Sequence, residues 1–348
     1  MKNVICIFVF LSISFYSFSQ SKSSLKATGR DTLIFSDLTK CLPRSAISFS
    51  AEKYQWRAVK IETTDKKCGN YMLMADPEAK VPDIRLPLNT RGWYSIYLGL
   101  YRIYPGDGIR VKLSNDSTTI FAQADNSYDV IEEVFWKNAD VTNQDIIFKQ
   151  VSNNQGSSYI AYVKLVPLSD KQLDSINQEL KNPYFKRLIA LNDGHGIFYS
   201  KRPTDVEEIT EDIEPYRNTD FDKIYWCVGA GGDVFTFPSR TGKMYGEGLK
   251  VFPRKGDRDI YESLQILNSK GINTLSTVID YAHSINLKIY LSLRIEAFMH
   301  NPPWDGIFNG YFYDNFPQYR CRDIDGSEIA RMSLAYKEVQ DFIIAIID

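Results

Sequence analysis

The sequence predicts a multi-domain protein, in which an all-β sandwich is followed by the first part of an α/β barrel. Three observations support this fold class. Short apolar runs separated by turn residues fill positions 31–168, strands alternate with helices from residue 185 onward, and each barrel-like strand ends in polar residues. The first pattern is typical of antiparallel sandwiches and the second of parallel sheets.

Residues 1–20 have the features of a secretory signal peptide. Lys2 supplies the positive start, and residues 4–18 are apolar but too short and serine-rich to span a bilayer well. Cleavage is expected near Ser19–Gln20, and an uncleaved anchor is the alternative. Cys6 stands too early in the run for a lipid-modified cysteine. The mature protein is therefore expected to be secreted, periplasmic or at the cell surface, with no membrane span.

Charge and composition exclude some partners. The 41 basic and 43 acidic residues nearly balance, and no Lys/Arg run forms the basic stripe that nucleic-acid binding requires. Aromatic residues make up 14% of the chain. Such rings serve as platforms for sugars, and they also fill β-sandwich cores.

Four cysteines remain after cleavage: Cys41, Cys68, Cys227 and Cys321. A Cys41–Cys68 disulfide is compatible with secretion but is not fixed by the sequence. There is no CxxC pair and the three histidines lie far apart, so we expect no metal site and no cofactor.

Residues 31–168 form the predicted sandwich, after a disordered segment at 21–30. Period-two alternation is clearest at 110–113 and 159–165, and turn residues stand at 105–108 and 153–156. About eight strands at this spacing predict two sheets with a jelly-roll-like arrangement. A connector at 169–184 follows, with a helix that begins after Ser169 and ends before Pro183.

Residues 185–348 alternate strand and helix in a way that predicts a partial TIM barrel. Strands are expected at 186–193, 221–229 and 288–294, and helices at 204–217, 257–269, 274–285 and near the end of the chain. A complete eightfold barrel needs about 250 residues. We therefore expect a C-terminally truncated barrel, and a smaller open α/β sheet is the alternative.

The carboxyl end of the first of these strands is the strongest candidate for a site. Asn192, Asp193 and His195 stand there beside two glycines, where they would bind sugar hydroxyls or transfer protons. The structural alternative is a tight turn in which Asn192 and Asp193 cap their own backbone.

The third strand and the long loop after it supply further candidates. Arg294 would clamp a carboxylate and Glu296 would act as an acid/base, although a structural ion pair explains them equally well. The loop is rich in aromatic rings, and Trp304 is a candidate for stacking on a sugar. The alternative is a folded lid whose rings are purely structural.

Other motifs give weaker signals. The glycine-rich run at 229–233 lacks the spacing of a phosphate or dinucleotide loop, and we expect a flexible loop that brings Asp233 or Phe235 near the cleft. His283 is expected to be a core or helix-cap histidine. The segment 323–326 is predicted to be a turn with too few oxygen ligands for calcium.

Several of these segments resemble a known family. The helix and strand containing residues 281–283 and 287–289, together with Gly326 and the residues 334–335 and 338–339, resemble secreted glycoside hydrolases with a (β/α)8 barrel. Asn286 stands where that family often has glycine. The resemblance covers about residues 185–348 and implies a barrel fold and a carbohydrate substrate. It transfers no catalytic residue, because the family's Asp-bearing strand would lie beyond Asp348.

The expected function is hydrolysis of glycosidic bonds in a polysaccharide or oligosaccharide by the full-length parent. That chemistry usually needs two facing carboxyl groups, and the sequence offers no convincing pair. A non-catalytic carbohydrate-binding or surface-scaffold protein is the alternative. A third hypothesis is that the sandwich docks a protein partner.

Overall fold

A computed structural model describes residues 31–50, 52–125, 129–151, 156–182, 186, 188–295, 304 and 306–347. Four predictions therefore lie wholly or mostly outside the described residues: the signal peptide at 1–20, the disordered segment at 21–30, the turn at 153–156, and Glu296 as an acid/base. No helix in the described part of the chain combines the length and apolarity needed to cross a bilayer.

The first part of the chain is built from short strands. They are β1 Leu33–Phe35, β2 Ile47–Ser48, β3 Trp56–Lys60, β4 Tyr71–Ala75, β5 Ile84–Leu86, β6 Trp93–Tyr101, β7 Ile109–Leu113, β8 Ile120–Ala122, β9 Ile131–Asp140, β10 Ile146–Lys149, β11 Ser158–Ile160 and β12 Tyr162–Pro167.

These strands form three four-stranded sheets with the orders β1-β12-β6-β9, β5-β10-β7-β8 and β11-β4-β3-β2. Neighbours are antiparallel except β2 and β3. All three sheets contribute to one hydrophobic core, in which Trp56, Tyr94 and Phe148 are completely buried. Burial of such large rings is the main stabilising contribution in a β-rich core.

The sequence predicted about eight strands in two sheets, whereas the structure has twelve strands in three. One reason is visible at Ala161, which separates β11 from β12. There the chain leaves one sheet and enters another, and the Ala161 amide donates to the Gly99 carbonyl at 2.8 Å. A strand that changes sheets keeps its alternating pattern, so the sequence of residues 158–167 shows a single run.

Helix α1, Asp170–Lys181, follows the sheets. Ser169 forms a capping box with Gln172, which satisfies amide groups at the helix start. The helix predicted to begin after Ser169 is therefore confirmed.

The second part of the chain has short helices between parallel strands. Its strands are β13 Leu188–Asn192, β14 Phe221–Cys227, β15 Gly229–Gly231, β16 Val234–Phe235, β17 Lys243–Met244, β18 Lys288–Ser292, β19 Arg320–Arg322 and β20 Glu328–Met332. Its helices are α2 Gly196–Ser200, α3 Val206–Thr210, α4 Lys255–Ser269, α5 Thr274–Ser284, α6 Tyr311–Asn315 and α7 Lys337–Ile347.

β13, β14 and β18 form a parallel sheet in chain order. Ala190 and Ile224 on one face are buried in a second core, to which the helices α2, α4 and α5 also contribute. The opposite face is exposed at Leu191, Tyr225 and Tyr290, which occupy one register position across the three strands. The three predicted strands are confirmed, with helices packed on one face of the sheet.

Two segments differ from the sequence prediction. The helix expected at 204–217 is limited to α3 and a 3-10 turn at Glu214–Tyr216, because Pro215 lacks the amide that would continue an α-helix. The long loop after β18 contains α6 and the β19–β20 hairpin.

Candidate functional site

A cleft of about 300 Å³ lies beyond the carboxyl end of β13. Residues from the β13–α2 turn form one wall, and residues from the start of α4 and from the later loop form the other. The lining side chains and glycine are Asp193, His195, Gly196, Tyr199, Tyr245, Arg254, Ile260 and Phe308.

The turn that starts the cleft is fixed by Asn192 and Gly194. The Asn192 Oδ1 accepts a hydrogen bond from the Gly194 amide at 2.8 Å, and its Nδ2 donates to Asp212 Oδ2 at 2.7 Å. Gly194 has φ +73°, and a Cβ there would lie 1.8 Å from the Cys227 carbonyl oxygen. Only glycine fits this conformation and this close approach.

Asp193 is a capping carboxylate at the cleft. Its Oδ1 accepts from the amides of Gly196 at 2.8 Å and His195 at 3.2 Å. Partial burial opposes ionisation, but the Gly196 amide and the charges of His195 and Arg294 outweigh it and hold the pKa of Asp193 below its usual value. The carboxylate is therefore ionised at neutral pH.

His195 is oriented by the backbone of the same turn. Its Nδ1 lies 3.0 Å from the Asp193 carbonyl oxygen, which can accept a hydrogen bond but cannot donate one. This contact selects the Nδ1–H tautomer in the neutral ring and leaves Nε2 as the acceptor. The imidazole is thus arranged to accept a proton or a hydrogen bond from a ligand hydroxyl.

Arg254 forms the charged part of the opposite wall. It holds the buried Asp257 carboxylate, which also accepts from the Tyr245 hydroxyl at 2.8 Å. The guanidinium carbon lies 5.6 Å from the centre of the Trp304 ring, a cation–π distance. Trp304 therefore lies beside the cleft, where its ring contacts the lining residue Arg254.

Two aromatic rings complete the cleft. Tyr199 is 48% exposed and packs over Gly256, where a Cβ would lie 2.2 Å from the ring. Phe308 contacts Tyr245 edge to face, with ring centres 5.8 Å apart. Exposed ring faces beside polar groups suit a ligand with both apolar faces and hydroxyl groups.

The structure brings several predicted site residues together. Asp193 and His195 line the cleft, Asn192 shapes its turn, and Trp304 lies next to Arg254. Arg294 is exposed and acts on Asp193 through its charge. The capping roles expected under the structural alternative are present at Asn192 and Asp193.

Sequence reasoning missed five lining residues: Tyr199, Tyr245, Arg254, Ile260 and Phe308. Arg254 directly precedes α4, so its position at a helix start was the one local signal that it could lie near other strand ends. The three rings carry no periodicity or spacing that separates them from core aromatics.

Three expectations need correction or qualification. Asp233 and Phe235 are buried, at 0% and 1% exposure, and are not among the residues that line the cleft, although the Phe235 carbonyl accepts from the amide of the lining residue Tyr245 at 2.8 Å. His283 is exposed in the last turn of α5 and is not a core histidine, although a basic residue suits that helix end. The glycine-rich run forms β15 in a small sheet with β16 and β17, where a flexible loop was predicted.

Asp233 has a structural role. Its Oδ1 accepts from the Gly310 amide at 2.6 Å and its Oδ2 from the Phe312 amide at 3.1 Å. Burial raises the pKa of this carboxyl, although these two amides act in the opposite direction. Asp233 thus ties the segment around α6 to the β15–β16 turn.

The rings of the long loop are largely structural. Phe312 stacks on Phe342 of α7 with ring centres 4.0 Å apart, and Tyr313 is buried. This favours the alternative of a folded lid for that part of the loop, whereas Phe308 lines the cleft and Trp304 lies beside it.

Within the described ranges, no group of three or more His, Cys, Asp or Glu side chains is placed to hold a metal ion. The segment 323–326 is a turn closed by the Gly326 amide and the Asp323 carbonyl at 2.9 Å. Cys41 and Cys68 are free thiols, and burial raises the pKa of Cys41 to about 12.

Comparison with known proteins gives distant likenesses. No protein-family model and no curated protein sequence matches the chain. Among solved structures, the Podospora anserina GH26-CBM35 β-(1,4)-mannanase is 10% identical with a TM-score of 0.23, and the aligned region covers 75% of this chain and 64% of the mannanase. Bacteroides uniformis β-glucuronidase 2 is 16% identical with a TM-score of 0.20, and the match covers 33% of this chain and 14% of that enzyme.

A peptidoglycan O-acetylesterase is 8% identical with a TM-score of 0.20, covering 84% of this chain and 73% of the esterase. The chain therefore spans a small part of the glucuronidase and less than two thirds of the mannanase. TM-scores this low do not establish a shared fold, so the architecture described above rests on the strand order and register of this chain.

Proposed function

We propose that the cleft binds a carbohydrate and that the chain is part of a secreted glycoside hydrolase acting on a polysaccharide or oligosaccharide. The observation that carries the proposal is the pairing of the ionised Asp193 and the oriented His195 with the exposed ring of Tyr199 and the partly buried ring of Phe308 in one cleft. Sugars present hydroxyl groups at their edges and C–H groups on their faces, and the cleft offers a partner for each.

The parallel sheet supports the barrel assignment. β13, β14 and β18 are adjacent in chain order, and helices pack on one face only. An open doubly wound sheet carries helices on both faces, whereas a barrel strand turns its second face inward. We therefore propose that residues 185–348 belong to a partial TIM barrel, that residues 31–168 belong to a jelly-roll-like sandwich, and that residues 169–184 connect them.

The position of the cleft supports catalysis. Active sites of TIM-barrel enzymes lie at the carboxyl ends of the strands, and Asp193 directly follows β13. A carboxylate with a lowered pKa suits the role of base or nucleophile better than that of general acid. Glu296 remains our candidate for the second carboxyl group, and Arg294 for a charged contact with the substrate.

A non-catalytic carbohydrate-binding function is the second candidate. It is favoured by Asp193 itself, because the Oδ1 of this carboxylate is already occupied by the two amides that it caps. The other cleft carboxylate, Asp257, is buried behind Arg254 and has no exposure to a ligand.

The test is a panel of soluble polysaccharides and oligosaccharides incubated with the secreted chain, with binding and reducing-end release measured separately. We expect binding that is weakened at least ten-fold by Y199A or F308A. The matched control is Y104A, which removes a tyrosine that is 68% exposed on the sandwich and should leave binding unchanged.

The same panel separates enzyme from binder. Release of reducing ends that is lost in E296Q, with binding retained, supports hydrolysis. Binding without release in the wild-type chain supports the non-catalytic function. Absence of binding to every glycan would refute both functions.

A further inference from the structure

We propose that the sandwich positions the cleft through a chain of contacts from Arg110 to Glu211, Asp212 and Asn192. This inference rests on the proposed function only in treating the β13–α2 turn as part of a binding site. It assigns Arg110 and Glu211 as positioning residues, which act on the site through Asn192 without contacting a ligand.

The first contact joins the sandwich to the segment after α3. Arg110 on β7 is 5% exposed and donates from Nε to Oε1 of Glu211, which is 3% exposed. The Thr119 hydroxyl donates to the same oxygen. A buried carboxylate held by a guanidinium and a hydroxyl has a fixed position, because any movement would leave a charge desolvated and unpaired.

The second contact passes from this segment to the cleft turn. Asp212 follows Glu211 directly, and the next residue, Ile213, is completely buried in the second core. The Asp212 amide donates to the Ile209 carbonyl at 3.3 Å. The backbone of residues 211–213 is thus held on both sides, and it presents the Asp212 carboxylate to Asn192.

The third contact sets the geometry of the turn. Asn192 donates through Nδ2 to Asp212 Oδ2 at 2.7 Å, which orients the amide plane so that Oδ1 accepts from the Gly194 amide. Gly194 lies between Asp193 and His195, the two polar residues of the cleft wall. A displacement of Glu211 would therefore move Asp212 and change the orientation of the Asn192 side chain in the turn.

The same interface offers an internal control. Glu207 on α3 also contacts the sandwich, with Lys149 Nζ at 2.6 Å from Oε2 and Lys112 Nζ at 3.2 Å from Oε1. These ion pairs lie on the same helix–sandwich contact and use the Glu207 side chain. The link from Glu207 to Glu211 is a backbone hydrogen bond, from the Glu211 amide to the Glu207 carbonyl at 3.1 Å, and E207A retains it. Removing these ion pairs should weaken the contact between α3 and the sandwich without changing the conformation of the β13–α2 turn.

The experiment measures hydrogen exchange of the Gly194 amide by NMR in the full secreted chain, without any sugar. We expect R110M and D212A each to speed this exchange at least ten-fold, and E207A to change it less than two-fold. The double variant R110M/D212A should match D212A alone, because both substitutions interrupt one path.

Two results would overturn the proposal. The first is an effect of R110M no larger than that of E207A, and the second is additive effects of R110M and D212A. If R110M does not fold, T119V, which removes one hydroxyl from the Glu211 contact, takes its place in the same comparison. Because the readout needs no ligand, a glycan panel without binding would refute the proposed function and leave this test unaffected.

Discussion

Arg254 holds the Asp257 carboxylate with two hydrogen bonds, from Nε to Oδ2 at 2.8 Å and from Nη2 to Oδ1 at 2.6 Å. Asp257 is completely buried, whereas the Arg254 side chain is 34% exposed. The buried Asp257 carboxylate therefore holds the Arg254 cation in place at the cleft wall. The guanidinium also lies beside the Trp304 ring.

Replacing Asp257 should release this anchor. D257N keeps the volume but removes one acceptor and the charge, and we expect a loss of about 2–3 kcal/mol in the free energy of unfolding. Urea denaturation measures the loss. The control D341N removes an exposed pair with Lys337 and should cost about 0.5 kcal/mol or less. Equal effects of the two variants would contradict a structural role for Asp257.

Gly194 and Gly271 offer a matched test of the cleft turn. Both have positive φ, +73° and +70°, but a Cβ at Gly194 would clash with the Cys227 carbonyl while one at Gly271 meets nothing within 4 Å. G271A should cost about 1–2 kcal/mol, the backbone term alone. G194A should cost clearly more, about 3 kcal/mol or above, since the clash adds to that term. Thermal or urea unfolding of both variants decides the order.

Loss of the Asp233 carboxylate should free the segment around α6. In D233A the buried amides of Gly310 and Phe312 lose their acceptor, and we expect a loss of about 2–4 kcal/mol in unfolding free energy. Limited proteolysis should then cut near residues 306–316 faster than in the wild type. The control D314N changes an exposed carboxylate of the same segment. Similar cleavage rates of D233A and D314N would contradict the role of Asp233 in holding this segment.

The lowered pKa of Asp193 predicts that the stability of the protein depends on pH. The folded pKa of Asp193 lies below its ordinary value of 3.8, so the folded state favours the ionised form. The resulting stabilisation is present above about pH 4 and is lost as the pH falls through the folded pKa. The melting temperature of D193N should therefore lie below that of the wild type at pH 6 and approach it near pH 3. A difference that stays constant over this range would contradict the assignment.

The exposed sheet face predicts self-association of the chain. Leu191, Tyr225 and Tyr290 are 79%, 36% and 46% exposed on one face, with the two tyrosine rings stacked 5.5 Å apart. Contiguous apolar surface of this kind promotes aggregation. L191K should raise the soluble concentration measured by light scattering, whereas V251K, at an exposed valine elsewhere, should leave it unchanged. Equal gains from both would indicate a general effect of charge.

Local features of the fold were predictable from the sequence. The helix start at Ser169 and the strand at 288–292 depend on residues within a few positions of one another. Backbone propensity, capping and side-chain periodicity act over that range. The number of sheets was not predictable in the same way, because the pairing of each strand depends on partners far along the chain.

The candidate site was predictable in part. Asn192, Asp193 and His195 were found because polar residues at a strand end have a known position in a parallel sheet. The opposite wall of the cleft was not predicted. Arg254 is placed there by the packing of α4, and Phe308 by the hydrogen bonds from Asp233 to the segment around α6.

By itself the sequence determined the helix start at Ser169, the three parallel strands and the polar end of β13, because these follow from local backbone and side-chain chemistry. The tertiary structure alone decided that Arg110 meets Glu211, 101 residues away, and that Arg254 and Asp193 line the same cleft. Contacts of such separation carry a loop-closure cost, and many packing contacts formed together must offset it. No local sequence pattern indicates which distant side chains pack together.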